Sequence, residues 1–165
     1  MFEDIFYIDD YKLKNYTVLD EDEKKLVLLH RNKNKKWMLT QDEISLENHL
    51  KWIEKLKDDK TKLYFLVFKD NKPFISISYH DIKDDEAYWG YFLIDESYKS
   101  EVLKIEKIII DFAFENLKVE RLLCINDVEN HVIQIHKFFG FKELEKKMLG
   151  NNEYLVMQLN KGDRR

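Results

Sequence analysis

The sequence predicts an α+β fold, with a central, mostly antiparallel sheet that has one parallel crossover and is flanked by helices. Helical spacing of apolar residues comes first, alternating segments typical of an antiparallel meander follow, and a strand, helix, strand alternation ends the chain. With 165 residues, 44% of them hydrophobic, and no Pro- or Gly-rich linker, a single domain over residues 1–165 is expected.

The first third of the chain is predicted to contain a strand and two helices. Residues 11–19 have the pattern of a strand, and a helix follows from Asp20 to His30. A second helix begins after Ser45, which is a good N-cap residue. Its apolar face is defined by three- and four-residue spacings, at Leu46, Leu50, Ile53 and Leu56.

A meander of three strands is predicted in the middle of the chain. Residues 63–68 alternate as a strand, residues 70–73 form a turn, and residues 74–80 return as the second strand of the hairpin. Residues 86–94, rich in Tyr and Trp, form the third strand. Short connections of this kind join antiparallel neighbours.

The last part of the chain alternates helices and strands. The predicted elements are a long helix over 100–116, a buried strand over 119–125, a helix over 129–139 and a closing hairpin over 142–159. Gly140 ends the second of these helices. The alternation supplies the one parallel crossover of the predicted sheet.

Composition argues against several classes of function. The net charge is −4, and Lys and Arg are interspersed with Asp and Glu, so no nucleic-acid partner is expected. Neither a signal peptide nor an apolar run of transmembrane length is recognised, so we expect no membrane partner and a cytoplasmic location. The one cysteine, Cys124, cannot form an internal disulfide and lies in a predicted buried strand.

Polar and aromatic residues of an unusual kind accompany the second helix. Arg31 and Asn32 close the first helix, Trp37 and Met38 follow, and His49 falls at the edge of the apolar stripe. A planar guanidinium, an imidazole and an aromatic ring at one rim suit an anionic ligand that contains a ring. We therefore expect these five residues to bind a substrate.

Together with residues 11–16, this stretch resembles the N-acetyltransferases that act on a UDP-linked 4-amino sugar in pseudaminic acid synthesis, the PseH branch of the GNAT superfamily. The resemblance covers roughly residues 10 to 142 and is most specific at its front. It implies a GNAT domain that uses acetyl-CoA and no metal, with direct attack in a ternary complex. It also implies that Arg31 and His49 hold the nucleotide, while Trp37 and Met38 line the sugar pocket.

The resemblance assigns acetyl-CoA to a turn and to a strand. Pyrophosphate is expected where the Tyr-rich strand gives way to the long helix, because a helix N-terminus offers free N–H groups and a positive dipole. The residues of this turn are Lys99, Ser100, Glu101, Val102 and Leu103. The family usually has glycines here and this chain has none, so an ordinary turn with Ser100 as N-cap is the alternative. The thioester carbonyl is expected at the backbone of Tyr91, Phe92 and Leu93, next to Gly90.

The resemblance also assigns three catalytic residues. Ser78 matches a serine at the active centre of PseH-type enzymes, and His80 shares its strand face. GNAT enzymes generally have a tyrosine four residues before a Gly-Phe pair, and this position is His136, whose imidazole can also donate a proton to a thiolate. A glutamate base of the family corresponds to Cys124, so removal of the amine proton is assigned to His80 or to a water bound by Ser78.

Two alternative functions stay open. A GNAT-like domain without catalysis would be a binding or assembly module, which the glycine-free turn favours and the retained Arg31, His49 and Ser78 oppose. A GNAT acetyltransferase could also act on a different amine, such as a protein N-terminus.

His131 and His136 are five residues apart, a spacing that does not place them on one helix face as metal ligands. A homodimer is open as well.

Overall fold

The structure, a computed structural model, describes residues 2–165, in which eight strands combine with four α-helices. The strands are β1 (Ile5–Ile8), β2 (Tyr11–Asn15), β3 (Leu63–Lys69), β4 (Lys72–His80), β5 (Glu86–Leu93), β6 (Arg121–Asp127), β7 (Lys142–Leu149) and β8 (Asn152–Asn160). The helices are α1 (Glu21–Lys33), α2 (Leu46–Leu56), α3 (Val102–Phe112) and α4 (Val132–Phe138). The hydrogen-bonded strand order is β1-β2-β3-β4-β5-β6-β8-β7, and β5 and β6 form a parallel pair. The predicted α+β class is confirmed.

Contacts within the described chain define two compact units. The first contains residues 2–80 and 90–100, and the second contains residues 81–89 and 101–165. Strand β5 therefore belongs to both units, its first half to the second unit and its last half to the first. The single domain over residues 1–165 stays a prediction.

The first unit is organised around α1 and α2. The Asp20 carboxylate accepts the N–H of Glu23 at 2.8 Å, and the Glu23 carboxylate accepts the N–H of Asp20 at 2.9 Å, a capping box that begins α1. The Ser45 hydroxyl accepts the N–H of Asn48 at 3.2 Å, which confirms Ser45 as the N-cap of α2. Both helices contribute to an apolar cluster formed by Tyr16, Leu19, Val27, Ile53, Leu56, Leu66, Phe68 and Ile94.

The second unit is built on α3, which is buried on most of its surface. The buried residues of α3 are Val102, Ile105, Glu106, Ile108, Ile109, Ile110 and Phe112. The apolar face of α3 is therefore wider than the single stripe of an ordinary surface helix. After α4, Gly140 has a φ of 99°, a left-handed conformation that favours glycine and ends the helix as predicted.

Several boundaries differ from the predictions. Residues 11–19 do not form one strand, because the side chain of Asn15 accepts the N–H of Thr17 at 3.0 Å and turns the chain into a 3₁₀ turn over Tyr16–Val18. The Asn130 side chain likewise accepts the N–H of Val132 at 3.1 Å, and α4 begins only there. Strand β1, which was not predicted, pairs with β2.

The long helix predicted over 100–116 is divided into three parts. A 3₁₀ segment over Glu96–Glu101 precedes α3, and a π-helical turn over Ala113–Leu117 follows it. Lys118 then adopts a left-handed conformation with a φ of 59° and ends the helical segment. Across residues 2–165, none of the helices has both the length and the apolar character that a membrane crossing requires.

Candidate active site

Ser78 lies on β4 beside a position that has no side chain. The Ser78 hydroxyl donates to the carbonyl oxygen of Gly90 at 3.4 Å, and its register partner on β3 is Tyr64. A Cβ built on Gly90 would lie 3.8 Å from the Ser78 hydroxyl oxygen, which is an ordinary contact. Gly90 therefore leaves space next to the Ser78 hydroxyl, although a Cβ at this position would not clash with it. Ser78 and His80 are both partly exposed.

Aromatic rings gather on the same face of the first unit. The ring centroids of Trp52 and Tyr64 lie 4.7 Å apart, edge to face, and those of Tyr16 and Tyr64 lie 5.3 Å apart. The Tyr16 hydroxyl is hydrogen-bonded to the hydroxyl of Ser76, and burial raises the pKa of Tyr16, so the phenol stays neutral. Trp52 and Tyr64 are partly exposed, and rings of this kind line the pockets that bind nucleobases and sugars.

Arg31 and Asn32 organise a loop rather than presenting free side chains. The Arg31 guanidinium donates to the carbonyl oxygens of Thr40 at 2.5 Å and Asp42 at 2.7 Å, and to the side-chain oxygen of Asn32 at 3.2 Å. The Asn32 amide group donates to the carbonyl oxygen of Ile44 at 3.0 Å and accepts its N–H at 3.0 Å. These bonds fix residues 40–44, the segment that leads into α2.

His49 is not at a rim, which corrects its expected position. Its side chain is only 4% exposed, its ring stacks on Trp52 at 6.1 Å, and its Nε2 lies 3.0 Å from the carbonyl oxygen of Lys24. Burial, the largest cause, lowers the pKa of His49. A buried and neutral imidazole that binds a backbone carbonyl joins α2 to α1 and is poorly suited to holding a phosphate.

Trp37 and Met38 lie in the segment between α1 and α2. Trp37 ends a 3₁₀ turn over Lys35–Trp37 and is exposed, and the Lys36 ammonium lies 4.8 Å from the centroid of the Trp37 ring. Met38 is partly exposed. Both side chains can therefore reach a ligand. Their assignment to a sugar pocket stays a prediction.

The parallel ladder that pairs β5 with β6 is short. Within residues 2–165, the parallel register joins three residue pairs and ends at Tyr88 and Leu123, although β5 continues to Leu93. The three residues expected at the thioester, Tyr91, Phe92 and Leu93, are partly exposed and follow the end of this ladder. Their assignment to the thioester carbonyl stays a prediction.

The turn before α3 places Glu101, not Ser100, at the N-cap position. Glu101 has helical backbone angles, and within residues 2–165 no side chain caps the first turn of α3. Lys99, Ser100 and Leu103 are exposed, whereas Glu101 and Val102 are buried. The Glu101 carboxylate lies 4.0 Å from the ammonium of Lys104. The helix dipole at the start of α3 favours a phosphate and the Glu101 charge opposes one.

His136 is buried against a carboxylate in the second unit. Its Nδ1 lies 2.9 Å from each carboxylate oxygen of Glu106, and the exposed fractions are 2% for His136 and 0% for Glu106. The ring centroid of His136 lies 4.8 Å from that of Trp89 and 5.8 Å from that of Phe141. Burial raises the pKa of Glu106, and the hydrogen bond from His136 lowers it.

Comparison with known proteins identifies the family. No model of a protein family matches the chain. The acetyltransferase PseH of Campylobacter jejuni is 36% identical over 123 residues, which are 73% of this chain and 76% of the relative. The crystal structure of the Campylobacter jejuni N-acetyltransferase PseH in complex with acetyl coenzyme A aligns with a TM-score of 0.77 and 27% identity, over 92% of this chain and 99% of the other. The chain belongs to the PseH family of N-acetyltransferases.

The fold extends beyond the PseH family. Spermidine N-acetyltransferase from Vibrio cholerae, solved in complex with CoA and spermine, aligns with a TM-score of 0.82 at 14% identity, over 93% of this chain and 97% of that one. At this identity the likeness concerns the fold alone. The predicted GNAT fold and the predicted resemblance to PseH are confirmed.

The sequence interpretation missed Glu106, which lies on the apolar face of α3. Glu106 is one residue after Ile105 and three before Ile109, so its carboxylate falls within the buried stripe. A charged residue in such a stripe is costly to bury without a partner, and this was the signal that could have found it. Within residues 2–165, no group of three or more His, Cys, Asp or Glu side chains is arranged to hold a metal ion.

Proposed function

We propose that this chain transfers the acetyl group of acetyl-CoA to the amino group of a nucleotide-linked amino sugar, as a step towards pseudaminic acid. The observation that carries the proposal is membership of the PseH family, one of whose structures contains acetyl coenzyme A. The dependence on acetyl-CoA supports a cytoplasmic location. The homodimer stays a prediction.

Acetyl-CoA is assigned to two segments. The backbone of residues 91–93 would bind the thioester carbonyl, as the resemblance to the GNAT enzymes implies. The start of α3, through its dipole, and the exposed Lys99 and Ser100 would bind the pyrophosphate. The glycines that the family has at this turn are replaced by side chains, so affinity here depends on Lys99 more than on close backbone approach.

The acceptor is assigned to the face that carries Ser78. The partly exposed rings of Trp52 and Tyr64 supply stacking surface, and the space at Gly90 lets a sugar approach the Ser78 hydroxyl. Arg31 and Asn32 act through the loop that they fix, which carries the chain from Trp37 and Met38 to α2. His49 supports this arrangement from within the helix pair.

The reaction needs two proton transfers. The amine nitrogen forms a bond to the acetyl carbon, the carbon–sulfur bond breaks, the nitrogen loses one proton and the thiolate gains one. His80 or a water bound by Ser78 would accept the proton of the amine. His136 would donate the proton to the thiolate.

Titration calorimetry followed by an activity assay tests the proposal. We expect acetyl-CoA to bind and the variant Lys99→Glu to weaken binding, because it places a negative charge at the phosphates. Lys146→Glu, an equal charge change on the exposed strand β7, is the control and leaves binding unchanged. CoA release is then compared for a UDP-linked 4-amino sugar, spermidine and a peptide with a free N-terminus, and the nucleotide sugar is expected to be preferred.

Two results would reject the proposal, each in favour of a stated alternative. Failure of both acetyl-CoA and CoA to bind at millimolar concentration would indicate a binding or assembly module, as the glycine-free turn suggests. Turnover that prefers the peptide or the polyamine would indicate an acetyltransferase for a different amine.

A further inference from the structure

Glu106 and His136 form a pair of ionisable groups inside an apolar unit. Glu106 is the charged residue on the buried part of α3. Ile105 comes directly before it, and Ile108 follows two positions later. Its two carboxylate oxygens are both 2.9 Å from Nδ1 of His136. Burying such a pair costs desolvation energy that the attraction barely repays, and apolar residues of similar size are often as stable. Stability alone therefore does not account for the pair.

The surroundings leave the carboxylate as the group that controls the imidazole. The rings of Trp89 and Phe141 contact the His136 ring and carry no charge. Cys124 on β6 interacts with Glu106, but burial raises the pKa of its thiol, which stays neutral. Both oxygens of the Glu106 carboxylate lie within hydrogen-bonding distance of the His136 ring, so Glu106 is the polar partner that fixes this imidazole.

We propose that Glu106 is a positioning residue, which holds His136 with a proton on Nδ1 and directs Nε2 to the proton transfer of the acetyl reaction. This inference rests on the proposed function. In the step itself, the Nε2–H bond of the imidazolium breaks and an S–H bond forms on the departing CoA. The neutral ring keeps its Nδ1–H on the carboxylate, and the proton lost by the acceptor nitrogen restores the imidazolium through solvent.

The carboxylate would assist this step in two ways. It excludes the other tautomer, because a carboxylate at Nδ1 accepts a hydrogen bond and cannot donate one when ionised. It also fixes the orientation of the ring, because both of its oxygens lie 2.9 Å from Nδ1. A carboxylate and histidine paired in this manner are a recurrent device for orienting a catalytic imidazole.

The first test is the pH profile of kcat for Glu106→Gln. The amide keeps a hydrogen-bond acceptor of the same size and removes the charge, so kcat is expected to fall about 100-fold and its pH profile to change. KM for acetyl-CoA is expected to change less than about twofold, since Glu106 touches no substrate. Asp111→Asn, the corresponding carboxylate-to-amide substitution at a partly exposed position near the end of α3, is the control and leaves the profile unchanged.

The second test needs no turnover and so separates this inference from the proposed function. In ¹⁵N-detected NMR of the wild-type protein at neutral pH, Nδ1 of His136 is expected to carry a proton. This holds for the neutral ring and for the imidazolium, as long as the hydrogen bond to Glu106 is present. The opposite tautomer would overturn the proposal even if Glu106→Gln proves too unstable to purify. An unchanged pH profile in a folded Glu106→Gln variant would overturn it as well and leave Glu106 with a structural role. Absence of wild-type turnover, by contrast, would reject the proposed function and not the paired state of His136.

Discussion

His49 and His136 are both buried, at 4% and 2% exposure, but they are hydrogen-bonded to different kinds of partner. Nε2 of His49 lies 3.0 Å from the backbone carbonyl oxygen of Lys24. Nδ1 of His136 lies 2.9 Å from both oxygens of the Glu106 carboxylate. The first histidine joins two helices of the first unit, and the second joins two helices of the second unit.

The difference between these partners distinguishes a histidine that joins two helices from one that we propose to act in proton transfer. Burial, the largest cause, lowers the pKa of His49, and the hydrogen bond to the Lys24 carbonyl opposes this shift without reversing it. The Glu106 carboxylate instead lies with both oxygens 2.9 Å from Nδ1 of His136 and fixes the orientation of the ring. Burial therefore does not tell the two roles apart, whereas the partner does.

The largest expected effect is on stability. His136→Ala leaves the Glu106 carboxylate buried without its partner and should lower the free energy of unfolding by about 3–5 kcal/mol. His49→Ala removes one hydrogen bond to a backbone carbonyl together with some packing, and about 1–3 kcal/mol is expected. Urea unfolding at pH 7 measures both. Equal losses would contradict the distinction between the two partners.

The next effect is on turnover. His136→Gln keeps a side chain that can bond to Glu106 but cannot donate to the thiolate, so kcat should fall about 100-fold. Acetyl-CoA affinity should stay nearly unchanged, and His49→Gln should keep wild-type kcat. His136→Tyr restores a phenol that can donate a proton and should retain much of the activity, whereas His136→Phe should not. Wild-type turnover in the Phe variant would show that solvent supplies the proton.

The fold was predictable because its signals are local. Apolar spacing located α2 and α3, and the Ser45 cap and the Gly140 stop followed from single-residue preferences. Boundaries failed where a polar side chain bonded to the backbone nearby, as at Asn15 and Asn130. Such bonds compete with regular structure and leave little trace in a hydrophobic pattern.

The site was less predictable because its key distances join residues far apart in sequence. The resemblance pointed to His136 and Ser78, but the spacing gave no sign that Glu106, thirty positions earlier, meets His136. The residue types of Arg31 and His49 suggested binding to a phosphate. In the structure, both side chains are hydrogen-bonded to backbone carbonyl oxygens. Which acceptor a polar side chain finds is a tertiary fact.

A smaller effect should come from the Arg31 loop. Arg31→Ala removes the donors that hold Thr40 and Asp42, so KM for the nucleotide sugar is expected to rise about tenfold, with KM for acetyl-CoA nearly constant. Arg31→Lys should recover little, because one ammonium cannot replace a planar guanidinium that serves several acceptors. Steady-state kinetics with each substrate varied in turn measures the split. Equal changes in both KM values would mean that the loop does not belong to the acceptor site.

The smallest expected effect is the pH dependence that His49 adds to stability. Burial lowers the pKa of His49 below its ordinary 6.5, so the unfolded chain binds a proton more readily. The stability due to the neutral ring is therefore fully present above the unfolded pKa and is lost as the pH falls below it. His49→Gln keeps a donor for the Lys24 carbonyl and does not titrate, so between pH 7 and pH 5 it should lose less stability than the wild type, by at most about 1.4 kcal/mol for each pH unit. Burial raises the pKa of Glu106, which gives the opposite slope, but Glu106 is present in both proteins and cancels in the difference. Urea unfolding of both proteins at pH 7, 6 and 5 gives that difference, and parallel curves would mean that His49 is free to become charged in the folded state.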